Sequence, residues 1–179
     1  MVELLYPLAT RSIIKPSSAL LSIIGCAAPH TTDAENYSIL QKNLKSMIES
    51  GHTVPIYAAV DNKDGFLYIA KSQFGYNTKV NDIPETERVT AVSLNALITL
   101  YSIKSIDLIK IDVEGFEKRI FSENLEWLDH VKNIILETHS GEAYSLCAKT
   151  LLDKGFQIKK LSALTEYAEN IYWISHSSL

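Results

Sequence analysis

The stretch SIDLIKIDVEGFEKRIF, residues 105–121, joins an apolar run of strand length to three carboxylates. The run 106–111 has the composition of a buried strand, and a helical pattern begins at about Glu114. Asp112, Glu114 and Glu117 surround one glycine at the turn between the two. A strand that turns into a helix with acids at the turn is typical of sites in α/β proteins. Acids at such a turn can also serve only to stabilise the start of the helix.

The bulk composition is that of one folded domain, residues 1–179. Hydrophobic residues make up 46% of the chain and charged residues 21%, which excludes a disordered protein. The net charge is −4 and Lys and Arg form no cluster, which argues against nucleic acid as a partner. Cys26 and Cys147 are far apart and have no partner at metal-ligand spacing. We therefore expect a reduced, cytoplasmic protein.

The longest apolar run, ALLSIIGCAA (19–28), is too short to span a bilayer, so no membrane association is expected. IIGC (23–26) has the form of a lipoprotein cleavage site. The segment before it carries Glu3 and makes a poor basic leader. A buried strand is the favoured interpretation.

Strand and helix patterns alternate along the chain. Strands are predicted at residues 20–27, 54–60, 66–70, 106–112, 131–139, 155–161 and 170–176. Helices are predicted at 31–50 with a capping box at Thr32 and Glu35, at 94–104 after Ser93, at 115–128, and after Ser140 with an inner face of Tyr144, Cys147, Leu151 and Leu152. Residues 71–92 are predicted to be a long polar loop. The alternation predicts an α/β fold with a doubly wound, mostly parallel sheet, and the last two strands predict an antiparallel edge.

Polar side chains follow the predicted strands at the edge where ligands bind in open α/β sheets. Asp61 follows one strand, Asp112 and Glu114 follow another, and Glu137 and His139 end the next. Because neighbouring parallel strands end at the same edge, three carboxylates and an imidazole are expected to converge. A general base or a metal site needs such a group.

Each of these residues also has a purely structural explanation. Asp112 can accept hydrogen bonds from the start of the next helix. Glu114 and Glu117 lie in the first helical turn, where acids favour the helix dipole, and for Glu117 this explanation is favoured. Glu137 and His139 share one face of a strand. Their spacing from Asp112 is not diagnostic of a metal, and no metal site is predicted.

The segment SLNALITLYSIKSIDLIKIDVEGFEKRIF (93–121) resembles the core of the FkbM-type methyltransferases, in which a helix leads into a strand that ends in I-D-V-E-G-x-E. NYSILQKNL (36–44), AAVDNKDG (58–65) and IILETH (134–139) follow the family's order at about its intervals. The resemblance covers residues 20–140. It implies a Rossmann-like, class I fold and a transfer of methyl from S-adenosylmethionine to a hydroxyl of a sugar or small natural product.

The resemblance also implies two groups of site residues. The catalytic group is Asp112, Glu114, Glu137 and His139. The cofactor-binding group is Val60, Asp61 and Asp112, with the first two near the adenine. His139 has the unperturbed pKa best suited to removing the hydroxyl proton, and Asp112 or Glu137 would orient it.

The N-terminal part departs from the family's pattern. MVELLYPLATR (1–11) stands where the family has its first strand and its glycine-rich cofactor loop, and it contains no glycine. The acid that binds the ribose hydroxyls is replaced by Ala28, before Pro29. Because the first strand normally lies mid-sheet, the fold is expected to be truncated there. Residues 1–6 could pair in the gap, a second copy in a homodimer could fill it, or the sheet could rearrange.

Three functions are compatible with these features. The favoured one is a methyltransferase with a sugar or small-molecule hydroxyl as acceptor. The alternative is a degenerate, non-catalytic relative that works as a binding or assembly module. A metal-dependent hydrolase using Asp112, Glu137 and His139 is the third.

Overall fold

The computed structural model describes residues 2–5, 19–24, 33–70, 79–81, 87–113, 115–161 and 170–176. These residues form a mixed α/β structure. The strands are β1 (Val2–Leu5), β2 (Ala19–Ile24), β3 (Thr53–Ile56), β4 (Ala59–Asp61), β5 (Gly65–Ala70), β6 (Lys79–Asn81), β7 (Glu87–Ser93), β8 (Ile106–Asp112), β9 (Asn133–Glu137), β10 (Phe156–Lys160) and β11 (Ile171–His176). The helices are α1 (Asp33–Asn43), α2 (Lys45–Glu49), α3 (Leu94–Leu100), α4 (Glu117–Ile120), α5 (Gly141–Asp153) and a 3₁₀ helix, Leu125–His130.

The larger sheet has seven strands in the order β10-β11-β9-β8-β2-β1-β3. The β2–β8 and β8–β9 ladders are parallel, and the remaining four are antiparallel. Only β1 and β11 run against the other strands of this sheet. The prediction of a mostly parallel sheet is therefore right in that most strands point the same way. It is wrong for the pairing between strands, since most ladders are antiparallel. The reason is that each reversed strand lies between two strands of opposite direction. The antiparallel C-terminal edge is confirmed by β10 and β11.

The predicted gap beside β8 is closed by rearrangement of the sheet. β2 pairs directly with β8, and Ile24 lies opposite Asp112 at the end of that ladder. β1 lies on the other side of β2, antiparallel to both β2 and β3. The N-terminal strand therefore does not occupy the place where the family's first strand was expected.

A second sheet of four strands, ordered β4-β7-β5-β6, was not predicted. The expected strand 54–60 is divided near Tyr57, since β3 joins the larger sheet and β4 the smaller one. The predicted loop at 71–92 is wrong where it contains β6 and β7. Val89 and Ala91 of β7 are buried with Leu67 in a small core, and pairing with β4 and β5 orders a segment whose local pattern is weak.

Two of the predicted helix starts are confirmed by their caps. Ala96 N donates to Ser93 Oγ at 3.1 Å at the start of α3, and Ala143 N donates to Ser140 Oγ at 3.1 Å at the start of α5. A side-chain acceptor replaces a carbonyl that the first turn lacks. The capping box at Thr32 lies outside the described residues.

Three helix predictions need correction. The helix at 31–50 is divided at Leu44 into α1 and α2, and no residue of α2 is buried. The helix predicted at 115–128 ends at Ile120, and a turn that includes Asn124 in left-handed backbone angles separates it from the 3₁₀ helix. On α5, Cys147 and Leu151 are fully buried as predicted, whereas Leu152 is exposed.

The main core lies between the larger sheet and the helices that follow β8 and β9. Its fully buried side chains include Ile106, Ile109 and Ile111 of β8, Ile134 of β9, and Leu128. Each contributes on the order of 2 kcal/mol by burial, so the carboxyl ends of β8 and β9 sit on a well-packed base. In the described part of the chain, no helix is long and apolar enough to cross a membrane.

Candidate active site

Two parallel strands deliver acidic side chains to one edge of the larger sheet. Ile111 of β8 lies opposite Leu136 of β9, so Asp112 and Glu137 follow at the ends of adjacent strands. One side-chain N or O atom from each of Asp112, Glu137 and His139 lies within 4.8 Å of the other two. The structure thus brings together three of the four predicted catalytic residues, and Glu114 lies outside the described residues.

The Asp112 carboxylate is held between a cation and an imidazole. Lys110 Nζ donates to Asp112 Oδ2 at 2.8 Å, from two residues earlier on the same face of β8. Oδ1 lies 3.8 Å from Nε2 of His139. The side chains of Asp112 and His139 are 20% and 25% exposed, so a ligand from solvent can reach both.

Glu117 has a different role from the one its sequence position indicated. It does begin α4, but it is fully buried. Its Oε1 lies 2.5 Å from Nδ1 of His139. The explanation as a helix-start charge alone therefore does not hold, because the Glu117 carboxylate also contacts the imidazole at Nδ1. The signal was present in the sequence, because Glu117 is the last residue of the I-D-V-E-G-x-E signature.

The turn between β8 and α4 depends on Gly115. Its φ is +93°, in the left-handed region that glycine adopts without strain. In this conformation Gly115 N donates to Glu117 Oε1 at 3.1 Å. The glycine therefore shapes the turn and also supplies a hydrogen bond to the carboxylate that holds His139.

Asp61 meets an arginine from the same short helix. Arg119 donates through Nε to Oδ1 at 3.0 Å and through Nη2 to Oδ2 at 2.6 Å, and the Asp61 side chain is only 2% exposed. Glu117 and Arg119 lie about 200° apart around α4. One face of α4 therefore holds His139 and the other holds Asp61.

A cleft of about 650 Å³ opens beside Asp61, a volume in the range of small-molecule sites. It is lined by residues 61–67, Ala91, Arg119 and Glu123. Val60 does not line it, since its side chain is buried in the main core. The resemblance places the adenine of the cofactor next to Asp61, at this cleft.

The cleft suits the nucleoside half of S-adenosylmethionine. Phe66 lines the cleft with an exposed ring that provides apolar surface for an adenine ring. Both oxygens of Asp61 are occupied by Arg119, so Asp61 shapes the cleft more than it binds a ligand directly. Ala28 and Pro29, at the expected ribose position, lie outside the described residues.

The cluster of Asp112, Glu137 and His139 is compact enough to share a cation. The Lys110 ammonium already occupies Asp112 Oδ2 and brings positive charge to the same place. We therefore do not identify these residues as a metal site.

Two titratable groups lie beneath the site. Burial, and then the nearby negative charge of Glu117, raises the pKa of the Cys147 thiol to about 12. Burial and then Tyr144 raise the pKa of Tyr172, against a hydrogen bond with Thr138 that lowers it. The stacked rings of Tyr144 and Tyr172, 4.5 Å apart, pack α5 against β11. Cys147 is thus a buried neutral thiol and not a nucleophile.

Comparison with known protein families places most of the chain in one of them. The chain matches the family model described as Methyltransferase FkbM domain over residues 16–160. No curated protein and no solved structure matches it.

Proposed function

Because the chain belongs to the FkbM methyltransferase family, we propose that it is an S-adenosylmethionine-dependent O-methyltransferase. Its acceptor would be a hydroxyl of a sugar or small natural product. The observation that carries the proposal is the His139 imidazole, held by Glu117 and set beside Asp112 at the carboxyl edge of the sheet. We also infer a Rossmann-like methyltransferase arrangement, which the parallel strands β2, β8 and β9 support.

His139 is the base in this proposal. As the acceptor oxygen takes the methyl group that bound S-adenosylmethionine would supply, leaving S-adenosylhomocysteine, Nε2 of His139 would accept the hydroxyl proton. The imidazolium that forms lies between Glu117 at Nδ1 and Asp112 near Nε2. Two carboxylates stabilise its positive charge, which favours proton transfer.

The carboxylates suit a polyhydroxylated acceptor. Asp112 and Glu137 end neighbouring strands beside His139, and ionised carboxylates accept hydrogen bonds from hydroxyl groups. Two acceptors around one base can hold the hydroxyls that flank the one to be methylated and fix its orientation. This arrangement supports a sugar-like substrate over an apolar alcohol.

The cofactor would be held mainly by the cleft beside Asp61. S-adenosylmethionine supplies a methyl group on a positively charged sulfur. Phe66 is 57% exposed, and its ring offers a stacking surface for adenine, while the Asp61–Arg119 pair fixes the wall behind it.

Calorimetric titration of the full chain with S-adenosylhomocysteine tests this function. We expect binding in the micromolar range. Substitution Phe66→Ala should weaken binding about tenfold, since a stacked ring contributes roughly 1 kcal/mol or more. The matched control is Leu100→Ala, because Leu100 is also an exposed apolar residue but does not line the cleft.

Absence of binding to the unmodified chain at millimolar ligand would contradict the enzyme proposal. It would favour the alternative, a non-catalytic member of the family that binds or assembles with a partner. Equal weakening by Phe66→Ala and Leu100→Ala would contradict the placement of the cofactor in this cleft.

A further inference from the structure

The buried carboxylate of Glu117 needs an explanation beyond helix formation. Its side chain has no exposure to solvent, and Oε2 has no hydrogen-bond partner in the described part of the chain. Burying a carboxylate with an unsatisfied oxygen costs several kcal/mol. The gain from an acid at a helix start is smaller than this cost and does not require burial. Helix formation therefore does not account for this position.

The contacts of Oε1 show what the carboxylate does. Gly115 N donates to Oε1 at 3.1 Å, and Nδ1 of His139 lies 2.5 Å from the same atom. When Glu117 carries its charge, the carboxylate only accepts hydrogen bonds, and the proton of this short contact is then the one on Nδ1. With Nδ1 protonated, the neutral ring has its lone pair on Nε2. Nε2 is the nitrogen that lies towards Asp112 at 3.8 Å.

We propose that Glu117 is the positioning residue of this site, which keeps the His139 proton on Nδ1 and so makes Nε2 the nitrogen that accepts the proton of the substrate hydroxyl. This inference rests on the proposed function of His139. The last carboxylate of the I-D-V-E-G-x-E segment, Glu117, then acts through the imidazole and does not touch the substrate. A carboxylate on the far ring nitrogen fixes both the tautomer and the orientation of a histidine.

In the described part of the chain, the charged groups around His139 include Asp112 with Lys110 on β8, Glu137 at the end of β9, and Glu117 on α4. From α5, Cys147 contributes only a neutral thiol. Glu117 contacts Nδ1, whereas Asp112 lies nearest to Nε2. Removing the Glu117 carboxylate should therefore change the tautomer of His139, whereas removing a carboxylate that does not contact the ring should not.

Long-range ¹H–¹⁵N correlation spectra of the full chain test this proposal. The chain has five histidines, and His139 is assigned by the loss of its signals in His139→Gln. We expect the proton on Nδ1 in the unmodified chain. Glu117→Gln should keep this tautomer, because the amide oxygen still accepts, but should lower the pKa of His139 by roughly one unit or more. Glu117→Leu should abolish the preference for Nδ1.

Glu142→Gln is the matched control, because its carboxylate is on the exposed side of α5 and pairs with Lys118. It should leave the tautomer and pKa of His139 unchanged. A proton on Nε2 in the unmodified chain would overturn the proposal, as would an unchanged His139 pKa in Glu117→Gln. The His139 pKa in Glu117→Gln tests the proposal even if Glu117→Leu fails to fold. Because no cofactor is added, a failure here is distinct from a failure of the S-adenosylhomocysteine titration.

Discussion

A carboxylate as buried as that of Asp61 is stable only with groups that replace its lost water. Arg119 supplies two charge-assisted hydrogen bonds, and Asn62 N donates a third at 2.8 Å. The planar fork of the arginine matches both oxygens. The same helix carries Lys118, whose partner Glu142 has an 84% exposed side chain. Lys118 and Arg119 are adjacent in the chain, but the ion pair of Arg119 should contribute much more to the free energy of unfolding than the exposed pair of Lys118.

Substitution Arg119→Met should destabilise the chain by about 3 kcal/mol, because Asp61 would remain buried without its cation. Lys118→Met should cost less than about 0.5 kcal/mol, since water screens the exposed pair. Urea unfolding measured by circular dichroism compares the two. Equal losses of unfolding free energy would show that the Asp61–Arg119 pair is no more important than a surface pair.

For individual residues, the sequence predicted that Asp112, Glu137 and His139 lie close together, because the apolar periodicity shows where the strands end. It did not predict the partners Glu117 and Arg119. Their environment depends on how α4 lies between β4 and the end of β9, which is a tertiary property. An acid in a first helical turn looks the same in sequence whether it is exposed or buried.

Among the elements, those with strong periodicity or a clear cap were predicted well. β8 and β9 lie within about two residues of their expected bounds, and α5 begins directly after Ser140, the predicted cap. The smaller sheet was missed because the apolar pattern of β6 and β7 is weak and their order comes from pairing with β5. The helix at 115–128 was predicted too long because its apolar pattern continues through the 3₁₀ helix, where Trp127 is buried.

Helix α5 offers a matched pair of serines. Ser140→Ala should lower the free energy of unfolding by about 1 kcal/mol, because the Ala143 N–H loses its acceptor. Ser145→Ala, in the exposed interior of the helix, should be neutral or slightly stabilising. Its hydroxyl only donates to the Gly141 carbonyl, and alanine has the higher helix propensity. Thermal unfolding of both variants checks this; an equal effect would contradict the cap.

The buried thiol of Cys147 makes the free energy of unfolding of the whole molecule depend on pH in the alkaline range. The pKa of Cys147 is about 12 in the folded chain, against an ordinary value of 9.0. Between these values the unfolded chain loses the thiol proton and the folded chain keeps it. The unfolded state therefore binds fewer protons, and stability falls as the pH rises.

We expect this thiol to lower the free energy of unfolding by up to about 1.4 kcal/mol per pH unit above pH 9. Cys147→Ala should show a shallower decline over the same range, although it is less stable at neutral pH because of the cavity. Urea unfolding at several pH values from 8 to about 11, under reducing conditions, provides the comparison. Parallel declines would contradict a buried thiol as the cause.

The strand order divides the described chain into three consecutive blocks. Residues 2–56 supply β2-β1-β3, residues 59–93 supply β4-β7-β5-β6, and residues 106–176 supply β10-β11-β9-β8. Each strand finds its neighbours within its own block, except at the ladder between β2 and β8. During synthesis each block can thus complete its pairing before the next emerges. Among the ladders of the described residues, the β2–β8 ladder joins the strands that are farthest apart in the chain, so forming it carries the largest entropic cost of chain closure. This ladder joins the first and last blocks into a single sheet.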